Sequence, residues 1–223
     1  MLCMSARSKS AVLKVHYDEF AENPRTWDNL GTMVCWHRRY NLGDKQSYNP
    51  EDFAVDLASD LDPEKVERLI DRYHILSWES ALTYEDVVIN PCFEIIDKHV
   101  ILLSLYFYDH SGITISTSPF SCSWDSGQVG WIYVTKDQIR KEYSVKRISK
   151  KLLKRVAELL AAETEEYDKY LTGQVFGFVL EDTSGAHLDS CWGFLGDNFV
   201  TNGMVDHLPA GHRHLIDDLS YVN

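Results

Sequence analysis

The sequence predicts an α+β fold: one antiparallel β-sheet of about five to seven strands, covered by helices, in a single domain. Three observations predict it. Strand-like segments are joined by short turns rich in Gly, Asp and Ser, which is the signature of hairpins. No strand–helix–strand alternation runs along the chain, so a parallel sheet is not indicated. Amphipathic helical segments stand apart from the strands and supply the apolar faces that a sheet needs against it.

Residues 11–16 (AVLKVH) read as an opening strand. An irregular stretch from Tyr17 to Tyr48 follows, punctuated by Asn23-Pro24, Asn29-Leu30-Gly31 and Asn41-Leu42-Gly43, all turn chemistry. Asn49-Pro50-Glu51-Asp52 opens a helix, with a cap, a proline and two acids at the positive end of the helix dipole. Asp62-Pro63-Glu64 repeats the signal, and Val66, Leu69, Ile70 and Tyr73 continue it at helical spacing. The two form a helical hairpin. Residues 86–89 and 93–97 read as short strands. Residues 100–108 (VILLSLYFY) and 113–116 flank the turn Asp109-His110-Ser111-Gly112 and form a β-hairpin; residues 128–135 add a third strand.

Residues 137–143 read as a helical turn, and Ser149 caps a long helix over 150–171. Leu152, Leu153, Val156, Leu159, Leu160, Tyr167 and Tyr170 share one stripe of it. Its first turns are basic (Lys150, Lys151, Lys154, Arg155) and its last are acidic (Glu163, Glu165, Glu166, Asp168). Both arrangements oppose the helix dipole, so packing has to hold this helix. Residues 174–181 and 187–195 form another hairpin, with Trp192 expected to be buried. A terminal helix over 198–207 precedes a polar tail. One domain over 1–223 is expected, with 1–9 and 208–223 as flexible ends.

Composition excludes several classes. The longest apolar run is far too short to span a bilayer, and the first residues carry no signal-peptide pattern. Five widely spaced cysteines without a C-x-x-C pair indicate neither a zinc knuckle nor a disulfide framework, so a reducing cytoplasm is expected. The net charge of -12 repels nucleic acid and favours basic partners. Walker, dinucleotide-binding, zincin and EF-hand patterns are missing, and no cofactor is expected.

Four candidate sites remain. Asp109 and His110 lie near Cys122 in sequence, and Cys, His and Asp are the material of nucleophilic catalysis if the protein is an enzyme. The competing reading is an ordinary turn and a hydroxyl-rich loop. Asp189, Asp197, His207, His212 and His214 are the candidate ligands if a metal is bound. Trp36, Arg38 and Arg39 interleave an aromatic with cations, as a nucleic-acid contact does. Glu51, Asp52, Asp56, Asp60, Asp62, Glu64, Glu67 and Asp71 form a dense negative run on the first two helices and are the candidate partner-binding residues.

Three stretches carry a resemblance: Trp27 to Cys35 running into His37-Arg38-Arg39-Tyr40-Asn41; Tyr108 to Gly112 through Trp124-Asp125-Ser126-Gly127-Gln128; and Asp189 to Phe194. They resemble a family of uncharacterised accessory proteins encoded by bacteriophages and plasmids. The resemblance implies a context, the accessory gene of a mobile element, and such genes often encode inhibitors of host defence such as anti-CRISPR and antirestriction proteins.

The reading that follows is an anti-defence protein in the host cytoplasm. It binds and inhibits a host protein or ribonucleoprotein that processes nucleic acid, through an acidic surface that mimics nucleic acid. Direct nucleic-acid binding and membrane association are not expected, and the oligomeric state is open, a dimer included. The alternatives are a metal-dependent hydrolase or nuclease using the His/Asp residues, and a phage structural or scaffold protein.

Overall fold

In the computed structural model, residues 2–44, 49–76 and 82–222 are described. The fold class is α+β with antiparallel sheets, as expected, but the strands are divided between two sheets. One has five strands in the order β8-β7-β2-β1-β9, built from β1 (Leu2–Arg7), β2 (Ala11–Tyr17), β7 (Val175–Asp182), β8 (His187–Leu195) and β9 (Ser220–Tyr221). The other has four in the order β3-β6-β4-β5, built from β3 (Thr32–Cys35), β4 (Val100–Asp109), β5 (Ile113–Ser116) and β6 (Ser126–Thr135). Within the chain two compact units can be told apart: Met1–Trp27 with Asp109–Ile115 and Glu165–Asn223, and Asp28–Tyr108 with Ser116–Thr164.

The first unit is organised by the five-stranded sheet. Its strands alternate, and Ala11, Leu13 and Val15 on β2 join Phe176, Phe178 and Leu180 on β7 in the core. Phe199, Met204, Leu208, Leu215 and Ile216 close that core from the C-terminal segment, which holds α6 (Met204–His207) and a 3-10 helix (Ala210–Ile216). The two ends, expected to be flexible, carry strands: β1 pairs with β2, and Met4 and Ser5 pair with Tyr221 and Ser220 of β9. The terminal helix expected over 198–207 is only one turn long, because Asn198 and Asn202 engage in turn hydrogen bonds ahead of it.

The second unit packs α1 (Phe53–Leu61), α2 (Pro63–Leu76) and α3 (Asn90–His99) beside β3, β4 and β6. Phe53, Leu57, Cys92, Ile95 and Ile96 meet Val34, Val100 and Tyr133 in its core. α1 starts three residues after the proline that was expected to open it, with Asp52 at its N-cap. Asp62 ends α1 and begins α2, its carboxylate accepting from the Lys65 amide at 3.2 Å. Residues 86–89 and 93–97 are not strands: a π-helical turn (Glu85–Ile89) runs directly into α3. β3 lies inside the stretch expected to be irregular, whose expected end, Tyr48, falls outside the described residues.

α4 (Lys136–Glu142) is held by a capping box: the Gln138 amide donates to Thr135 Oγ1 at 3.1 Å, and the Thr135 amide to Gln138 Oε1 at 2.8 Å. α5 (Lys150–Leu171) has the expected bounds. Its buried stripe is Val156, Leu160, Glu163, Thr164 and Tyr167, so an acid from the dipole-opposing run sits at a core position. None of the five cysteines, all among the described residues, forms a disulfide, and no helix among the described residues is long and apolar enough to cross a membrane.

Candidate functional site

The acidic run is placed on α1, α2 and the turn before them. The apolar residues of α1, Phe53, Ala54, Leu57 and Ala58, form the face turned to the core. Asp52, Asp56 and Asp60 therefore stack one turn apart along the helix, about 6 Å of rise between successive members. On α2 only Val66 is fully buried, and Glu64, Glu67 and Asp71 are exposed, as are Glu51, Asp52 and Asp60. Asp56 and Asp62 are half-buried. Eight acids are accompanied by three bases, Lys65, Arg68 and Arg72.

Asp52 and Asp56 suit the N-terminal end of α1, but the ladder as a whole does not. Like charges four residues apart are mutually destabilising, and Asp60 stands near the C-terminal end, where the dipole favours cations; the last turn of α1 has no base. Burial pushes the Asp56 carboxyl above its ordinary range, and the charges of Asp52 and Asp60 push it further.

The other residues selected from the sequence are less coherent. Asp109 ends β4 and His110 opens the β4–β5 turn, where its amide donates to Gly112 O at 3.1 Å. Cys122 lies in the hydroxyl-rich loop, its Sγ 3.7 Å from Asp125 Oδ2, with the Ser126 hydroxyl donating to its carbonyl. Trp36 is taken up by an aromatic cluster, with ring centroids 5.5 Å from Phe53 and 5.9 Å from Trp131, whereas Arg38 and Arg39 are exposed. Of the metal-ligand candidates, Asp189 accepts from the Ser190 amide at 2.8 Å, Asp197 and His214 are exposed, and the His212 Nδ1 is buried without a hydrogen-bond partner. Among the described residues no three or more His, Cys, Asp or Glu side chains are placed to share a metal.

Three arrangements escaped the sequence reading. Cys191 Sγ lies 3.9 Å from His207 Nδ1, and Phe194 packs edge-on to that imidazole at 5.3 Å. The other cysteines of the core are less available: burial pushes the thiols of Cys3 and Cys92 up. A cleft of about 370 Å³ is lined by Asp28, Asn29, Lys141, Tyr143 and Glu163. The Glu163 carboxylate there accepts from the amides of Leu30 at 2.8 Å and Gly31 at 3.1 Å, which anchors the loop before β3.

The third is an open groove of about 550 Å³ in the first unit, lined by His16, Tyr17, Asp18, Glu19, Phe20 and Trp192. Trp192, expected inside, is 48% exposed. The signal available in the sequence was Gly193, which follows it in the strand; a glycine there permits the bulge that turns the indole outward. Comparison with known protein families, curated proteins and solved structures finds no match for this chain.

Proposed function

We propose that the protein acts by binding: its acidic α1–α2 face docks on the cationic channel of a host nucleic-acid-processing complex and competes there with nucleic acid. The observation that carries this reading is the Asp52–Asp56–Asp60 ladder, continued by Glu64, Glu67 and Asp71 on α2. A regularly spaced row of carboxylates on a rigid helix presents to a basic channel what a phosphate backbone presents: a line of negative charge with fixed intervals. A cation docked beside the ladder would favour the charged form of Asp56, which burial and then the charges of Asp52 and Asp60 disfavour in the free protein. The setting proposed for it, inhibition of a CRISPR effector or restriction enzyme, is the one that membership of a mobile-element accessory family would imply.

The test is capture of such a complex on immobilised protein, followed by displacement with duplex DNA and a salt series. The expected result is a complex that DNA displaces and that weakens steeply between low and physiological salt. A variant carrying Asp60→Asn, Glu64→Gln, Glu67→Gln and Asp71→Asn should lose about tenfold or more in affinity, since steering and pairing charges are removed together. Unchanged affinity of that variant, or binding indifferent to salt, would sink the reading.

A further inference from the structure

The groove beside β2 and β8 differs in chemistry from the α1–α2 face and lies in the other compact unit. Its floor is an indole laid against backbone. β8 bulges where Phe176 and Phe178 of β7 pair with Phe194 and Cys191, so Trp192 comes to lie over Gly177. A Cβ built on Gly177 would stand 2.2 Å from the Trp192 ring, so only glycine leaves room for the indole there. His16, paired with Gly177 on β2, brings its ring centroid to 6.0 Å from that of Trp192. One face of the indole is thus supported and a large part of its surface is exposed.

The groove's rim combines aromatic and negative groups. Tyr17 is 42% exposed with its ring 5.1 Å from Phe176, and Phe20 is 95% exposed. Between them lie Asp18 and Glu19. Asp18 is held in place: its amide donates to Val175 O at 2.8 Å and its Oδ1 accepts from the Phe20 amide at 3.0 Å. Among the described residues neither Lys nor Arg lines the groove. Lys14, next along the same face of β2, is paired with Glu181 at 2.6 Å. Burial, and after it the positive charge of Lys14 among others, holds the His16 imidazole below its ordinary value, so that ring stays neutral at neutral pH.

Exposed aromatic faces beside the Asp18 carboxylate repel phosphate and attract an organic cation. We propose that this groove binds the guanidinium group of an arginine side chain on a partner polypeptide. A guanidinium is planar, so it stacks on the indole face while its edge donates to a carboxylate; an ammonium does only the second well. The volume, about 550 Å³, exceeds one side chain and accommodates the flanking backbone of a peptide. The site stands independently of the acidic α1–α2 face, and the substitutions that test the two do not overlap.

The test is NMR titration of the Trp192 indole N–H with N-acetyl-arginine amide, against the neutral isostere N-acetyl-citrulline amide and against N-acetyl-lysine amide. A single side chain is a weak ligand, so saturation is expected at roughly millimolar concentration. Arginine should shift the Trp192 signal saturably, with citrulline and lysine weaker by about tenfold. The Asp18→Asn variant keeps a side-chain oxygen to cap the turn, and should retain the spectrum of the folded protein while losing most of the arginine response. Equal responses to arginine and citrulline, or to arginine and lysine, would overturn the assignment. So would an arginine response undiminished in the variant, or no shift at Trp192.

Discussion

Gly31 has no room for a methyl group. A Cβ there would lie 2.5 Å from Leu160 Cδ2, 2.8 Å from Glu163 Oε2 and 2.9 Å from Ile132 Cδ1. The residue therefore does two things: it lets the loop press against α5, and it presents its amide to the Glu163 carboxylate. Gly31→Ala should cost about 1–3 kcal/mol, the usual range for overpacking a tight contact, read as a lower urea midpoint. An unchanged midpoint would mean the loop yields without loss. In the sequence, Asn29-Leu30-Gly31 reads only as turn chemistry. The reason for the glycine lies more than a hundred residues away on α5, at a distance no local pattern reports. The same holds for Asp168, which accepts from the Thr114 hydroxyl at 2.6 Å and the Ile115 amide at 2.8 Å. Two acids that oppose the dipole of α5 are thus compensated by amides from other parts of the chain.

The elements divide by how local their causes are. α2 and α5 begin where a cap, a proline or a serine says they should, because those signals act within one turn. The segment 86–97 misleads because Val87, Val88, Ile89, Ile95 and Ile96 are β-branched and favour strands. Its burial period nevertheless is helical: Val88, Cys92, Ile95 and Ile96 point to one core. Pro91 in the first turn of α3 is the same signal that marks α2. α1 carries the electrostatic consequence. Because the Asp56 carboxyl is raised in the folded state, that state holds the proton more tightly than the unfolded chain. Stability is therefore lost as pH rises through the carboxylate range and just above it, and the penalty is full at neutral pH. Asp56→Asn should raise the unfolding temperature at pH 7, with the advantage shrinking as pH falls below the ordinary carboxylate range. A variant less stable than the parent at pH 7 would contradict the argument that burial and neighbouring charges disfavour the Asp56 carboxylate.

For the molecule as a whole, charge is the property that composition shows directly. A net charge of -12 means that self-repulsion opposes the compact state. Raising ionic strength from low to physiological should therefore raise the unfolding temperature, measured by scanning calorimetry, because screening lengths shorten to about 8 Å. A fall instead would mean that ion pairs such as Lys14–Glu181 outweigh the repulsion.

Local chemistry in the chain determined the helices at 63–76 and 150–171, the hairpins around 109–112 and 183–186, the acidic run and the antiparallel character. Each rests on residues within a few positions of one another. Tertiary structure alone decided that the strands divide between two sheets and that β9 returns to β1. It also decided that Glu163 is buried at 7% exposure while Trp192 is turned outward. These outcomes depend on which distant backbone group or core surface a side chain meets, and pairing across the chain is set by the sum of packing, not by any one segment's preference.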